Sequence, residues 1–384
     1  MLMSETRIRY NRDFHGREAV IKVLGVGGGG GNAVNTMVDA DIRLVEFLAV
    51  NTDAQDLRRS KAPNRIQIGE NLTKGLGVGG DPAKGREAAL ESVDLIKEAV
   101  GDADLLFITA GMGGGTGTGA APVVAQIARE INPEALLIGV VTRPFSFEGK
   151  PRAEQAQAGI QELRKHLDSL LVIPNDRIRT EVDREASRDD AYRLADDVLR
   201  QAIQGISDVI TSEGELNVDF ADVKKIMTKS GEALIGIGKA SGEDRHMTAA
   251  QMAMHSPMLE NAVINGAKGL LVNFTSSRDI KLVEISEAME YITKAANPEA
   301  AIKHGQVFDT AMGGELKITV IATGFPAKRS ELAGDLARIK ARGPRRPRLD
   351  DDFPPDQQQV SSGCGDNLDK PAYLRRQPGV RRLR

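Results

Sequence analysis

The sequence predicts an α/β fold in which a parallel sheet is covered by helices, followed by one long helix, a smaller α+β unit and an unpacked tail. Three observations carry that expectation. Across residues 20–173 the short apolar runs IKVLGV, VEFLAV, LLFITA, LLIGVV and SLLVIP alternate with segments of helical spacing. Tyr192, Ala195, Leu199, Ala202, Ile206 and Val209 then form one stripe at helical spacing. Beyond Phe325 the periodicity fails.

Each element follows from its residue pattern. The early runs are apolar throughout rather than alternating, as strands buried on both faces require, and parallel strands need crossover helices between them. They define a first unit over residues 19–188. The stripe gives a central helix over 189–213, about 30 Å long at 1.5 Å per residue and able to cross a domain. After Gly214 come ALIGIG, GLLVNFTS, GQVFDT and ELKITVIATGF, with helical patterns at 248–255 and 282–296. More strand per residue implies a smaller α+β domain over 214–326. Residues 327–365 are charged and rich in Pro, Gly, Gln and Asp, so they cannot bury enough apolar surface to offset their ordering entropy and read as a disordered linker. Residues 366–384 regain Tyr373 and Leu374 among six basic and two acidic residues, the pattern of a docking peptide on a tether. The polar residues 1–18, with Arg7, Arg9, Arg12 and Arg17, read as a flexible N-terminus.

Composition narrows the function. The chain has 384 residues, 41% of them hydrophobic, and a net charge of −3 from 51 basic and 54 acidic side chains, so no global field favours nucleic acid or a membrane. Its single cysteine, Cys364, cannot form an internal disulfide and fits a reducing compartment. No apolar run reaches the length of a membrane span and no secretory apolar core opens the chain, so a cytoplasmic protein is expected.

The glycine loops carry the chemistry. Residues 25–31 (GVGGGGG) follow the first strand and open into a helix at Asn32, which places backbone amides beside the positive end of a helix dipole. GxGxxG also fits Gly25, Gly27 and Gly30, and Asp53 stands near the ribose-binding acid of a dinucleotide fold, so a nicotinamide-dependent dehydrogenase is an open reading. A second loop, GMGGGTGTG at 111–119, follows LLFITA and precedes another helix; two cradles on one sheet edge suit a triphosphate better than a pyrophosphate. A third loop, GLGVGG at 75–80, could close over the terminal phosphate. Taken singly, each loop is equally a tight strand-to-helix turn. No GxxxxGK[ST] is present, so a P-loop NTPase is not supported.

GGGTGTG at 113–119 matches the signature of the tubulin/FtsZ family, and KVLGVGGGGGNAVN, AVNTDAQ, KGLGVGGDP, VTRPFSFEGKPR, IPNDRI, NVDFADVKKIM, ASGEDR and VIATGF follow the family order. The chain therefore resembles bacterial FtsZ over residues 20–326, and PAYLRRQ resembles the family's C-terminal peptide. The resemblance implies a tubulin-like GTPase domain built on a Rossmann-like parallel sheet. It implies that Gly28, Gly29, Gly30, Gly31 and Asn32 of the first loop, and Gly113, Gly114, Gly115, Thr116, Gly117 and Thr118 of the second, hold the phosphates of GTP or GDP. Glu148 and Arg152 would reach ribose and phosphates, with Asn175 at the base; without the resemblance they read as a solvated i,i+4 ion pair. Asp196 would accept from guanine N1–H and the N2 amino group, which adenine does not offer, and Tyr192, one turn earlier, would stack on the base. The family more often has Phe there and Asn at Asp81. The alternative makes Tyr192 a core residue and Asp196 a surface acid. No metal-cage spacing of His, Cys and Asp occurs, so Mg²⁺ is expected on the β and γ phosphates and water.

Phosphoryl transfer needs a group that orients water, and none stands clearly beside the glycine loops. The resemblance supplies it from the next subunit: Asn217, Asp219 and Asp222 match the polar positions of a loop inserted over the neighbour's nucleotide. Otherwise the two acids read as helix N-terminal charges. The first reading implies a head-to-tail, non-closing homo-polymer, with GTPase activity activated by polymerisation, division regulators as further partners, a membrane adaptor such as FtsA docking on residues 369–377, and a place in the mid-cell division ring beneath the inner membrane. Against it stands a non-catalytic module that uses GTP only to hold its shape.

Overall fold

The computed structural model describes residues 19–178, 187–211, 218–256, 259 and 266–325. The predicted N-terminal segment, linker and docking peptide, and Asn217, lie outside the described residues. Those described belong to the unit that spans Met1–Ala327.

The first strands are β1 (Ile21–Val26), β2 (Val45–Asn51), β3 (Asn64–Gln67), β4 (Leu105–Gly111), β5 (Leu136–Arg143) and β6 (Ser169–Pro174). All pair in parallel, in the order 3-2-1-4-5-6. Their crossovers carry α1 (Gly27–Asp39), α2 (Ala54–Arg59), α3 (Glu70–Thr73), α4 (Pro82–Glu91), α5 (Val93–Val100), α6 (Thr116–Ile131) and α7 (Lys150–Leu163). The uniformly apolar runs have the predicted cause: β1 is buried at every position and β4 at all but its last. Their side chains divide between two cores. Val23, Phe47 and Phe107 point to one face with α1. Leu24, Leu48 and Ile108 point to the other with α4, α5, α6 and α7.

After α8 (Asn175–Ile178) the predicted long helix appears as α9 (Arg188–Thr211), with 24 residues and hence a length of about 36 Å. Ala195, Leu199, Ala202, Ile203, Ile206 and Val209 bury its stripe in the first core, where each large aliphatic side chain contributes about 1.5–3 kcal/mol. The first core is therefore closed by a helix that follows the parallel strands in sequence. The same stripe also packs on Ile235, Leu271 and Ile321 from the later strands.

Those later strands are β7 (Gly231–Ser241), β8 (Gly269–Ser276), β9 (Ala301–Phe308) and β10 (Glu315–Thr323), with α10 (Phe220–Met227), α11 (Arg245–Met254) and α12 (Leu282–Ala295). β10 runs antiparallel to both β7 and β8, and α11 and α12 cover a third core around Phe274 and Ile318. This is the expected α+β part. Its sheet is continuous with the first through three residue pairs only, Ser169↔Gly231, Leu170↔Glu232 and Leu171↔Ala233.

Candidate functional site

β1 crosses to β2 on one side and β4 to β5 on the other, so the carboxyl ends of these adjacent strands bound the crevice where strand order reverses. Each strand runs through glycine into a helix. Neither α1 nor α6 has an acidic residue in its first turn or a side-chain cap, and an uncapped first turn leaves its N–H groups without partners. Two dipole ends thus converge on one anion site. The approach is close. Gly27 has φ +73°, and a Cβ there would stand 2.7 Å from the Gly117 nitrogen. The Thr52 and Thr116 hydroxyls, 2.7 Å apart and buried, tie the end of β2 to the start of α6.

The crevice opens into a cleft of about 500 Å³, within the roughly 300–1,000 Å³ usual for small-molecule sites. It is lined at its phosphate-like end by Gly28, Gly29, Asn32, Gly114, Gly115, Thr116 and Gly117, and roofed by Leu76, Gly77, Val78, Gly79 and Gly80 of the third loop. Asp81, in place of the Asn expected there, caps α4 by accepting from the Ala83 amide.

Glu148, Arg152, Asn175, Tyr192 and Asp196 line the other end. Glu148 is far from a solvated acid: its side chain is 7% exposed, pairs with Arg152 Nη1 at 3.0 Å and accepts from the Phe145 amide at 2.8 Å. Arg152 stays half exposed and free to face a ligand. Asn175 is buried and its Oδ1 has no partner among the described residues, a cost of about 1–3 kcal/mol that a ligand donor would relieve. Burial pushes the Asp196 carboxyl up to about 7. A carboxyl desolvated in a cleft, beside an acceptor without a partner, is a site that wants hydrogen-bond donors.

Not every expected residue reaches this cleft. Gly30 is enclosed, with space for a Cβ only 2.4 Å from the Thr109 carbonyl oxygen, and Gly31 lines a smaller adjoining recess. Gly113, at φ +100°, donates its amide to Thr118 Oγ1 at 2.7 Å, so these two shape the second loop from within. Asp219 and Asp222 belong to a helix at the opposite, amino end of the strands: its Lys224 donates to the Glu134 carbonyl, just before the start of β5, at 2.7 Å. With β5 about 26 Å long, they cannot reach the cleft of their own molecule. Asp219 makes no side-chain cap on α10, and Asp222 bonds Lys303 at 2.8 Å.

The structure adds Asn51, Asp56 and Thr142 to the lining. Asn51 Oδ1 accepts from the Thr52 and Asp53 amides, which shapes the exit of β2. Asn51 and Asp56 lay within or beside AVNTDAQ, yet nothing in local spacing marks a strand-end Asn as a loop former. Asp53, the acid of the dinucleotide reading, spends its Oδ1 on the Gln55 and Asp56 amides as the cap of α2.

Comparison with known proteins agrees with this geometry. Residues 20–183 match the model of the tubulin/FtsZ family GTPase domain, and residues 231–326 that of the FtsZ family C-terminal domain. The chain is similar to an empty FtsZ dimer from M. jannaschii, at 42% identity and TM-score 0.77, covering 80% of this chain and 89% of that one. A mutant of the M. jannaschii FtsZ matches at 42% identity and TM-score 0.76, over 80% and 92%. CetZ2 from Haloferax volcanii, in a GTPgS-bound protofilament, shares the fold at 22% identity and TM-score 0.69, over 84% and 98%.

Proposed function

Because this chain belongs to the tubulin/FtsZ family and is thus a GTPase that binds GTP and GDP, we propose that it assembles head to tail into protofilaments and hydrolyses GTP at each junction. The protofilaments then form the division ring at the future septum. One observation carries this reading: the cleft opens at the carboxyl ends of the parallel strands while the helix of Asp219 and Asp222 stands at their amino ends. Of the acids that line the cleft, Asp53 caps α2, Glu148 is held by Arg152, Asp56 accepts from Asn51 Nδ2 at 3.4 Å, and Asp196 lies with Tyr192 on α9. A water attacking the γ-phosphate is oriented by Asp222, with Asp219 and Asn217 beside it, from the subunit stacked above. Such a contact is heterologous, so it propagates as a filament and completes catalysis only when formed.

The amides of the two glycine turns hold the phosphates, Arg152 adds positive charge, Tyr192 stacks on the base and Asp196 with Asn175 reads its edge. Magnesium fits as a hard cation bound by phosphate oxygens and water, and Asp56, near the Gly28 turn, stands where it could hold one of those waters. Among the described residues no cluster of His, Cys, Asp and Glu forms a cage for a metal, and no helix is long and apolar enough to cross a membrane. The basic tail with Tyr373 and Leu374 serves as the link to a membrane adaptor such as FtsA and places the filament on the cytoplasmic face. Phosphate release measured against protein concentration tests the central point. Specific activity rises above a threshold concentration, and Asp222→Ala binds GTP but releases little phosphate; activity per molecule independent of concentration overturns it.

A further inference from the structure

We propose that Lys303 is the positioning residue of the intersubunit site: it holds the Asp222 carboxylate toward the neighbouring nucleotide and offsets its charge as the acidic loop meets a polyanion. This rests on the reading of Asp222 given above. Lys303 Nζ lies 2.8 Å from Asp222 Oδ2. The two come from separate elements. Asp222 stands in the first turn of α10, which Val223, Ile226 and Met227 anchor in the core; Lys303 stands on β9, in register with Leu271 of β8. Neither backbone can follow the other, so the ion pair fixes the one soft variable, the side-chain direction of Asp222.

The pair is open to solvent, with side-chain exposures of 43% and 36%. An exposed pair of this kind adds little to folding, so stability does not account for it. A junction with a nucleotide changes the balance. Asp219 and Asp222 must approach the negative phosphates of GTP as water leaves, and like charges repel more strongly in that drier setting. Lys224, the neighbouring cation, is turned to the Glu134 carbonyl. Lys303 is the cation already in contact with the acid that needs it. The ordinary alternative is a lysine that guards an edge strand against unwanted pairing, since β9 ends the sheet. That role predicts aggregation on removal, not slower hydrolysis.

The experiment compares the full chain with K303M, K303R, D222N and the D222N/K303M double variant. With GTP and magnesium, phosphate release and sedimentation give turnover per assembled subunit and the assembly threshold; a fluorescent nucleotide gives GTP affinity of dispersed subunits. K303M is expected to lower turnover per assembled subunit about tenfold and raise the threshold, with GTP affinity unchanged. K303R restores most of the turnover, and adding K303M to D222N costs nothing further. A K303M that does not assemble at all, beside a K303R that does, equally supports the role. Parental turnover in K303M, equal impairment of K303R and K303M, or losses that multiply in the double variant overturn it. If D222N itself hydrolyses at the parental rate, the reading of Asp222 falls and Lys303 with it; a dead D222N beside an unaffected K303M removes Lys303 alone.

Discussion

Phe145 meets Tyr192 edge to face, with ring centroids 5.4 Å apart and planes at 89°. Phe145 is buried, and Phe147 stacks on it at 5.0 Å. The turn between β5 and α7 thus fixes the Tyr192 ring that lines the cleft. Tyr192→Ala should weaken GTP binding about tenfold, as loss of one well-placed aromatic contact does, while Tyr192→Phe stays near the parent. Displacement of a fluorescent GDP analogue measures both. Equal losses would assign the effect to the hydroxyl rather than the ring.

The proposed role of Asp196 at the guanine edge predicts pH-dependent binding. Burial pushes its carboxyl up to about 7, and only the ionised form accepts both base donors, so binding draws the proton off. Affinity should hold steady above that pH and fall below it, by up to about tenfold per pH unit. Asp196→Asn binds weakly with a flat profile; parallel profiles for the two proteins exclude the acid.

The same shift has a stability arm. A carboxyl whose folded value is raised from 3.8 to about 7 costs stability that appears as pH rises through that window and is complete above it. Asp196→Asn should therefore melt higher than the parent at pH 8, with the gap closing toward pH 5. Calorimetry of the nucleotide-free protein reads it, and an equal gap at both pH values removes the cause.

Gly27→Ala should abolish nucleotide binding and lower stability by about 1–3 kcal/mol, because both the positive φ and the adjacent Gly117 backbone oppose a side chain. The neighbouring Gly31→Ala, whose Cβ meets nothing within 4 Å, should remain folded. Urea unfolding of the pair separates a local steric effect from a general intolerance of the loop.

Arg245 holds the C-terminal part together. It is buried, donates to Glu284 through Nε at 2.8 Å and Nη2 at 3.2 Å, and reaches Asp279 at 2.9 Å and the Gly314 carbonyl at 3.0 Å. Its guanidinium keeps Glu284 below the usual carboxylate range. Arg245→Met should cost about 3 kcal/mol by stranding that acid. A depressed carboxyl lends its stability above the unfolded value and loses it as pH falls through the folded one, so the difference from the parent shrinks in acid. Thermal melts at pH 7 and pH 4 check both, and Glu284→Gln should recover part of the loss.

How far the sequence could be read differs by element. The α9 stripe was legible because burial of one helix face writes its period into neighbouring residues, and the glycine turns because free amides at a helix start leave a mark of Gly and Thr. β3 was not: its two middle residues are a polar Arg65 and a half-buried Ile66 on an edge strand. The passage of the sheet from β6 to β7 was equally hidden, since those three residue pairs join segments some 60 positions apart. The cleft followed the same division. Among the residues in motifs, Gly28, Gly29, Asn32, Gly114, Tyr192 and Asp196 converge on the cleft while Gly30, Gly113 and Thr118 do not line it, and Lys303 meets Asp222, 81 positions away, only in the folded chain.

The late closure of the first core by α9 also bears on how the protein is made. A ribosome delivers β1 to β6 first, and they can pair as they emerge. The face carrying Val23, Phe47, Phe107 and Ile138, which α1 covers in part, is nonetheless not closed until residues 195–209 arrive. Until then the nascent chain carries its two glycine turns beside a partly covered apolar wall, with Tyr192 and Asp196 still unplaced. A translation pause within that interval exposes the chain to aggregation, and a truncated product intended to bind nucleotide must be cut after Thr211, not at the end of the last parallel strand.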